Sequence, residues 1–152
     1  MAKVIDENLV AQEVKKLIEN LGVSATAEIS KINKSFFVDI SSEDSSLLIG
    51  KQGSNLESIQ FVLAVRLKTL TGEEDFELFV DIDGWRKAKE EKLERMAQEL
   101  AEKVVQSSKE EILYNLKPSE RRVIHTTLAN HPQITSISEG EGENRYLVIK
   151  LK

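Results

Sequence analysis

Apolar residues recur at helical spacing in the first stretch of the chain, where Leu9, Val10, Val14, Leu17, Ile18 and Leu21 form one stripe and Gly22 follows at the stop position. This predicts a helix over roughly residues 7–21. The period then shortens to two. ATAEISKI from Ala25 and SFFVDIS from Ser35, joined at Asn33-Lys34, read as an antiparallel hairpin, with Phe36, Val38 and Ile40 on one face. A short SSLLIG segment reaches Gly50. From Gly53 a longer helix is expected to bury Leu56, Ile59, Leu63, Leu67 and Leu70 before Gly72. Phe76, Leu78, Val80 and Ile82 alternate with Asp75, Glu77, Phe79 and Asp81, which predicts a third strand with one buried face. The order so far is αββααβ, with the loop Gly50-Lys51-Gln52-Gly53 between the two central helices.

From Trp85 to about Gln106 the pattern is a long charged helix with an inner stripe of Trp85, Ala88, Leu93, Met96, Leu100 and Val104. A short strand is expected at Ile112 to Tyr114. Pro118 suits the first position of a helix that runs to about Ala129, and Asn130 and Pro132 end it. ITSIS and RYLVIKL flank SEGEGEN as a closing hairpin. No internal repeat or low-complexity tract interrupts this order. The fold class is therefore α+β, divided at the start of the long helix into residues 1–84 and 85–152.

Composition adds limits. With 152 residues, 40% hydrophobic and 31% charged, the chain is ordinary globular material. MAKVIDENLV lacks the features of a signal peptide, and no apolar run approaches the length of a membrane span. The absence of cysteine excludes disulfides, thiolate zinc sites and thiol nucleophiles. A reducing cytoplasm fits, without membrane insertion. The net charge of -5 argues at first against a polyanion partner. It is unevenly spread: residues 1–84 carry 8 Lys and Arg against 15 Asp and Glu, net -7, whereas residues 85–152 carry 13 against 11, net +2.

The loop in LLIGKQGSNLESIQ carries the first candidate chemistry. Its glycines permit a tight turn and a close approach of ligand backbone. It leads into a helix N-terminus, where unpaired N–H groups and the positive end of the dipole attract phosphate. Lys51 adds a cation, Gln52 adds donors, and Ile49 supports the neighbouring groove. G-x-x-G alone is a weak signal that a plain helix-loop-helix turn also satisfies. It is neither a P-loop nor a dinucleotide fingerprint. With its element order, however, the segment over about residues 5–83 resembles a type II KH domain, matching I-G-x-x-G at Ile49 to Gly53. That resemblance implies a clamp on about four nucleotides of a single strand, made by Ile49, Gly50, Lys51, Gln52 and Gly53.

The second constellation is PSERRVIH. Arg121 and His125 stand four apart and share a helix face, with Arg122 beside them. Such a spacing by itself usually marks a solvated, salt-bridged face. The segment from PSERRVIHTTL to SISEGEGENRYLVI nevertheless resembles the domain named for its Arg-x-x-x-His motif, which implies single-strand binding by Arg121 and His125, with Arg122 and Arg145 as further cations.

Taken in sequence, LLIGKQG, VDIDGWR, the charged helix, PSERRVIH and SEGEGENRYLVI resemble the bacterial Jag family, also called KhpB or EloR, over nearly the whole chain. The resemblance does not extend to the family's common N-terminal Jag domain and linker, which this chain is expected to lack, and Trp85 stands where Tyr is more usual. The resemblance implies binding of single-stranded RNA, with single-stranded DNA as an alternative, and association with a separate small single-KH protein. Family roles in cell elongation and links to the membrane insertase are expected to depend on the unmatched part.

Other candidates read more simply. Asp81 and Asp83 point to one side of a strand and could suggest a metal-dependent nuclease, but no third ligand stands out; they are expected to be solvent-side, with Asp83 able to cap the long helix. His131 has no partner set for zinc. Trp85, Phe36 and Phe37 are expected in the core. The leading expectation is thus a non-enzymatic RNA-binding module, an RNA chaperone or post-transcriptional regulator, with no cofactor and no metal. The alternative is a protein-interaction scaffold with a degenerate KH loop.

Overall fold

A computed structural model describes residues 4–152; Met1, Ala2 and Lys3, with which the reading of the amino terminus and of the first domain begins, lie outside the described residues. The fold is α+β, and the chain forms two compact units that meet in sequence between Arg86 and Lys87.

In the first unit, α1 spans Glu7–Leu21. It starts where the Asp6 carboxylate accepts from Leu9 N–H at 2.8 Å, and ends at Gly22, whose φ of 71° is the left-handed conformation a helix stop needs. β1 (Ala25–Ile32) and β2 (Ser35–Ser42) form the expected antiparallel hairpin, with Ala25 opposite Ser42. Asn33 takes φ 55° in the tight connection, a conformation asparagine adopts more readily than most residues. After α2 (Ser45–Ile49) and α3 (Ser54–Thr71), β3 (Glu77–Ile82) pairs with β2 in parallel, so β3 is an edge strand in the order β1-β2-β3.

The period-two pattern places Phe36, Val38, Ile40, Leu78, Val80 and Ile82 on one sheet face, where they pack against Leu9, Val10, Val14, Leu56, Leu63 and Leu67 of the helices. Each such side chain contributes about 1.5–3 kcal/mol when fully buried. Phe36 is core, as expected. Phe37 is not: on the opposite face of β2 it stacks on Phe79 of β3, with ring centroids 5.2 Å apart. Alternation requires this, because neighbours on a strand face opposite ways.

Beyond the sheet, α4 spans Trp85–Ser107. Asp81, not Asp83, supplies the acceptor at its start: Asp81 Oδ1 takes the N–H of Ile82 at 2.9 Å and of Arg86 at 3.1 Å. Asp83 has left the strand for a turn with φ 49° and its side chain is exposed.

The second unit holds most of α4, β4 (Glu111–Leu113), α5 (Pro118–Leu128), β5 (Ile134–Glu139) and β6 (Tyr146–Leu151), the strands being ordered β4-β6-β5 with antiparallel pairing throughout. Its core joins Ala97, Ala101 and Val104 to Ile124, Leu128, Ile134, Leu147 and Ile149. Within this unit the buried stripe of α4 therefore centres on alanines, flanked by half-buried Leu93, Met96 and Leu100; Ala88 is exposed and not part of it. The short strand lies one residue earlier than its sequence pattern suggested. Glu111 pairs with Ile149, which turns Leu113 inward and leaves Ile112 and Tyr114 exposed.

Candidate nucleic-acid interface

The GKQG loop is shaped by its own neighbours. Gly50 ends α2 with φ 71° and ψ −176°, and its missing Cβ makes room for Asn55, whose amide Nδ2 donates to Leu47 O at 2.8 Å. Gly53 has φ 79°, and a Cβ there would stand inside the indole of Trp85, 2.6 Å from Cζ3. Between them Gln52 takes φ 52° without glycine's freedom, a strained conformation for its side chain. Gly50 N–H donates to Ser46 O and Gly53 N–H to Gly50 O. Lys51 and Gln52 project as the exposed side chains, and among the described residues no side chain caps the first turn of α3. A cation, an amide and the positive end of a helix thus face solvent together, an arrangement that suits an anion. Ile49 is half-buried and packs against the core. The apolar groove beside the loop is lined by Leu21, Leu47, Asn55, Ser58, Ile59 and Val62.

In the second unit, α5 opens with Pro118 and a capping interaction: Glu120 Oε2 accepts from Lys117 N–H at 2.8 Å, while Oε1 meets Lys89 Nζ at 2.6 Å. Burial pushes the Glu120 carboxyl up, but the bonds from Lys89 and Lys117 outweigh it and hold it below its ordinary value. The anchored first turn fixes the next. Arg121 Nη1 donates to Leu116 O at 2.6 Å, and one turn later His125 Nδ1 lies 2.7 Å from the Oγ of buried Ser136 on β5. With Nδ1 held, the imidazole keeps its orientation and its second nitrogen is the one left for a ligand. Neither Ser136 nor Glu120 was visible as a site residue in the sequence, because their partners are brought in by strand pairing and helix packing.

Arg122, the sequence neighbour of Arg121, faces elsewhere. It lines a depression with Glu90, Glu94, Gln98 and Thr126, beside α4 carboxylates. Arg145 is exposed immediately before β6, and among the described residues no hydrogen bond or ion pair joins it to Arg121 or His125. Of the four cationic candidates in this unit, Arg121 and His125 stand four apart on one helix face, while Arg122, three before His125, lines the depression beside the α4 carboxylates. Nearby aromatics are Tyr114 and Tyr146, with ring centroids 5.5 Å apart; the bond from the Tyr146 hydroxyl to Glu139 raises the Tyr146 pKa. His131 acts in the turn after α5, where its Nδ1 accepts from Ile134 N–H at 3.1 Å. Among the described residues no helix is long and apolar enough to cross a membrane.

The family model for the Arg-x-x-x-His domain matches residues 91–151, which contain α5, Ser136 and the closing hairpin. Among curated proteins, the RNA-binding protein KhpB of Bacillus subtilis is 34% identical over 139 residues, covering 90% of this chain and 66% of that protein. The RNA-binding protein KhpB of Clostridium symbiosum is 29% identical over 133 residues, or 88% of this chain and 60% of the relative. That of Lactiplantibacillus plantarum is 27% identical over 136 residues, 90% of this chain and 42% of the relative. The chain thus spans about two thirds or less of the length of these relatives.

Proposed function

The chain belongs to the KhpB family, also called Jag, and from that premise we propose that it binds single-stranded RNA without chemical turnover, as an RNA chaperone or post-transcriptional regulator in the cytoplasm. The observation that carries the reading is the Arg121 and His125 pair, one helical turn apart and held by Leu116 O and Ser136 Oγ within the matched Arg-x-x-x-His domain. Two oriented donors, one of them a flat ring that can stack, suit a phosphate and an unpaired base.

In this reading residues 1–84 act as a type II KH domain and residues 85–152 as the Arg-x-x-x-His domain. The exposed Lys51 and Gln52 meet the phosphates of about four nucleotides at the uncapped start of α3. Ile49, Gly50 and Gly53 act indirectly, by keeping the loop in shape. Arg122 and Arg145 add peripheral charge. A small single-KH protein is the proposed protein partner, and single-stranded DNA is the competing nucleic acid.

Titration of a labelled single-stranded RNA against the full chain, read by fluorescence anisotropy over a salt series, tests the proposal. Saturable binding that weakens with salt is expected. Absence of binding at low salt overturns it, and metal-dependent cleavage of the same oligonucleotide overturns the non-enzymatic part. A second reading, a protein-interaction scaffold, is favoured by the exposed Phe61, Val62 and Val65 on α3 together with the net -7 of residues 1–84. It predicts a protein complex that forms with unchanged affinity when Lys51 and Gln52 are both replaced by Asp.

A further inference from the structure

A free edge strand offers a ligand alternating N–H and C=O groups, a donor beside an acceptor. On β3 this pair is already taken at Val80. Its N–H donates to Gln60 Oε1 at 2.9 Å, and its C=O accepts from Arg86 Nε at 2.8 Å. Arg86 Nη2 closes the arrangement by donating to the same Gln60 oxygen at 3.1 Å, and Arg86 N–H is tied to Asp81 Oδ1 at 3.1 Å. The guanidinium is therefore fixed at both its backbone and its head, and both side chains are half-buried.

The remaining polar groups of the pair have one character. Gln60 has spent its oxygen, which leaves the amide nitrogen with two N–H groups. Arg86 retains both N–H groups of Nη1 and one of Nη2, and among the described residues no hydrogen bond or ion pair engages Nη1. What had been a donor and an acceptor has become a cluster of donors on a planar, rigidly held fork. Its place is also defined. Trp85, the residue before Arg86, lies against Gly53 of the GKQG loop. Gln60 is seven residues along α3 from Gly53, about 10 Å at the helical rise of ~1.5 Å per residue. Gln60 and Arg86 stand on the β3 side of α3, about 140–160° around the helix from Asn55, Ser58 and Val62 of the apolar groove, so a strand held at the loop reaches them by crossing the start of α3.

We propose that Arg86, positioned by Gln60, is a base-reading residue of the RNA site, selecting guanine through its O6 and N7 acceptors at the nucleotide next to the GKQG loop. The inference rests on the RNA-binding reading above. Guanine presents two acceptors side by side, the pattern a guanidinium fork matches in bidentate fashion, whereas adenine sets a donor at N6 beside N7 and is met poorly by donors alone. Phosphate is also an acceptor that the fork can hold, but it would give no preference among bases.

The experiment compares oligoadenylate, the same strand with one central guanosine, and that strand with 7-deazaguanosine, each binding the full chain by anisotropy. Guanosine is expected to raise affinity about ten-fold. Loss of N7 should remove most of the gain. Arg86→Lys keeps the charge but not the fork, and should bring the guanosine-to-adenosine ratio close to one. Gln60→Glu keeps the acceptor for Val80 and Arg86 but replaces the outward N–H groups with oxygen, and should also lower the ratio. It serves as the independent reading if Arg86→Lys does not fold. Equal affinity of the unaltered chain for all three strands means that the fork meets phosphate or nothing, and overturns the inference while leaving RNA binding intact. No binding of any strand overturns the functional reading itself, and this inference with it.

Discussion

The indole of Trp85 occupies the space that a Cβ on Gly53 would need, so the second glycine of the loop is required by the protein's own packing as much as by any ligand. Gly53→Ala should therefore destabilise the first unit by about 1–3 kcal/mol, from the positive φ and the collision together. Trp85→Leu in the same chain should relieve part of that cost. Chemical denaturation of both single variants and the double variant measures it; additive effects would show that the ring and the glycine act independently.

Replacing Lys51 and Gln52 together by Asp puts negative charge at the two exposed positions while both glycines keep the turn. Asp tolerates the left-handed φ of 52° at position 52 better than most residues. RNA affinity is expected to fall by about ten-fold or more, on the order of 1.4 kcal/mol, with an unchanged circular dichroism spectrum. An unchanged affinity in a folded variant removes the loop from the interface.

For the second unit, Arg121→Ala with His125→Ala should weaken RNA binding through α5. Ser136→Ala is more informative, because Ser136 is buried and reaches RNA only through the imidazole it holds. Losing that bond should cost about 1 kcal/mol. Its effect on affinity should vanish when His125 is already alanine. A Ser136→Ala effect that persists in the His125→Ala background would mean that the serine supports the fold alone.

Salt dependence should be shallow. With about four phosphate contacts available from Lys51, Arg121, Arg122 and Arg145, the slope of log K against log salt is expected near about −3 for a single strand. Duplex DNA should compete poorly, since its bases are not free to enter a groove. A slope steeper than about −6, or equal affinity for duplex, would show that a broad charged surface dominates.

Acid should loosen the contact between α1 and α3. Glu13 is 4% exposed and bonded to Lys16 at 2.7 Å and Arg66 at 3.0 Å. The bond from Lys16, aided by Arg66 and opposed by burial, holds its carboxyl below the ordinary 4.5. A depressed carboxylate stabilises fully above the unfolded value and loses that contribution as pH falls through the folded one. Stability measured by urea denaturation should therefore drop below about pH 4.5, and Glu13→Gln should be less stable at neutral pH with a flatter acid limb. A wild-type acid limb retained by Glu13→Gln would place the sensitivity elsewhere.

Local pattern determined much of this protein. The α1 stripe with its Gly22 stop, the two-period runs of β1, β2 and β3, and Pro118 at the start of α5 all follow from spacing along a continuous segment, because helix and strand periods act between residues close in sequence. The I-G-K-Q-G run and the spacing of Arg121 and His125 could be read in the same way. Only the tertiary structure decided which groups those motifs meet. Ser136 reaches His125 because β5 packs under α5, Asn55 and Trp85 fill the spaces beside Gly50 and Gly53, and Gln60 and Arg86 converge on the Val80 edge from separate helices. The small alanines of α4 carried too little hydrophobic signal to be distinguished from surface, although their size is what lets α5 and the sheet approach. Which of two adjacent side chains faces a ligand also lies beyond pattern. Arg121 and Arg122 differ by one position in the chain and by about 100° around the helix, and only packing against α4 and Leu116 selects between them.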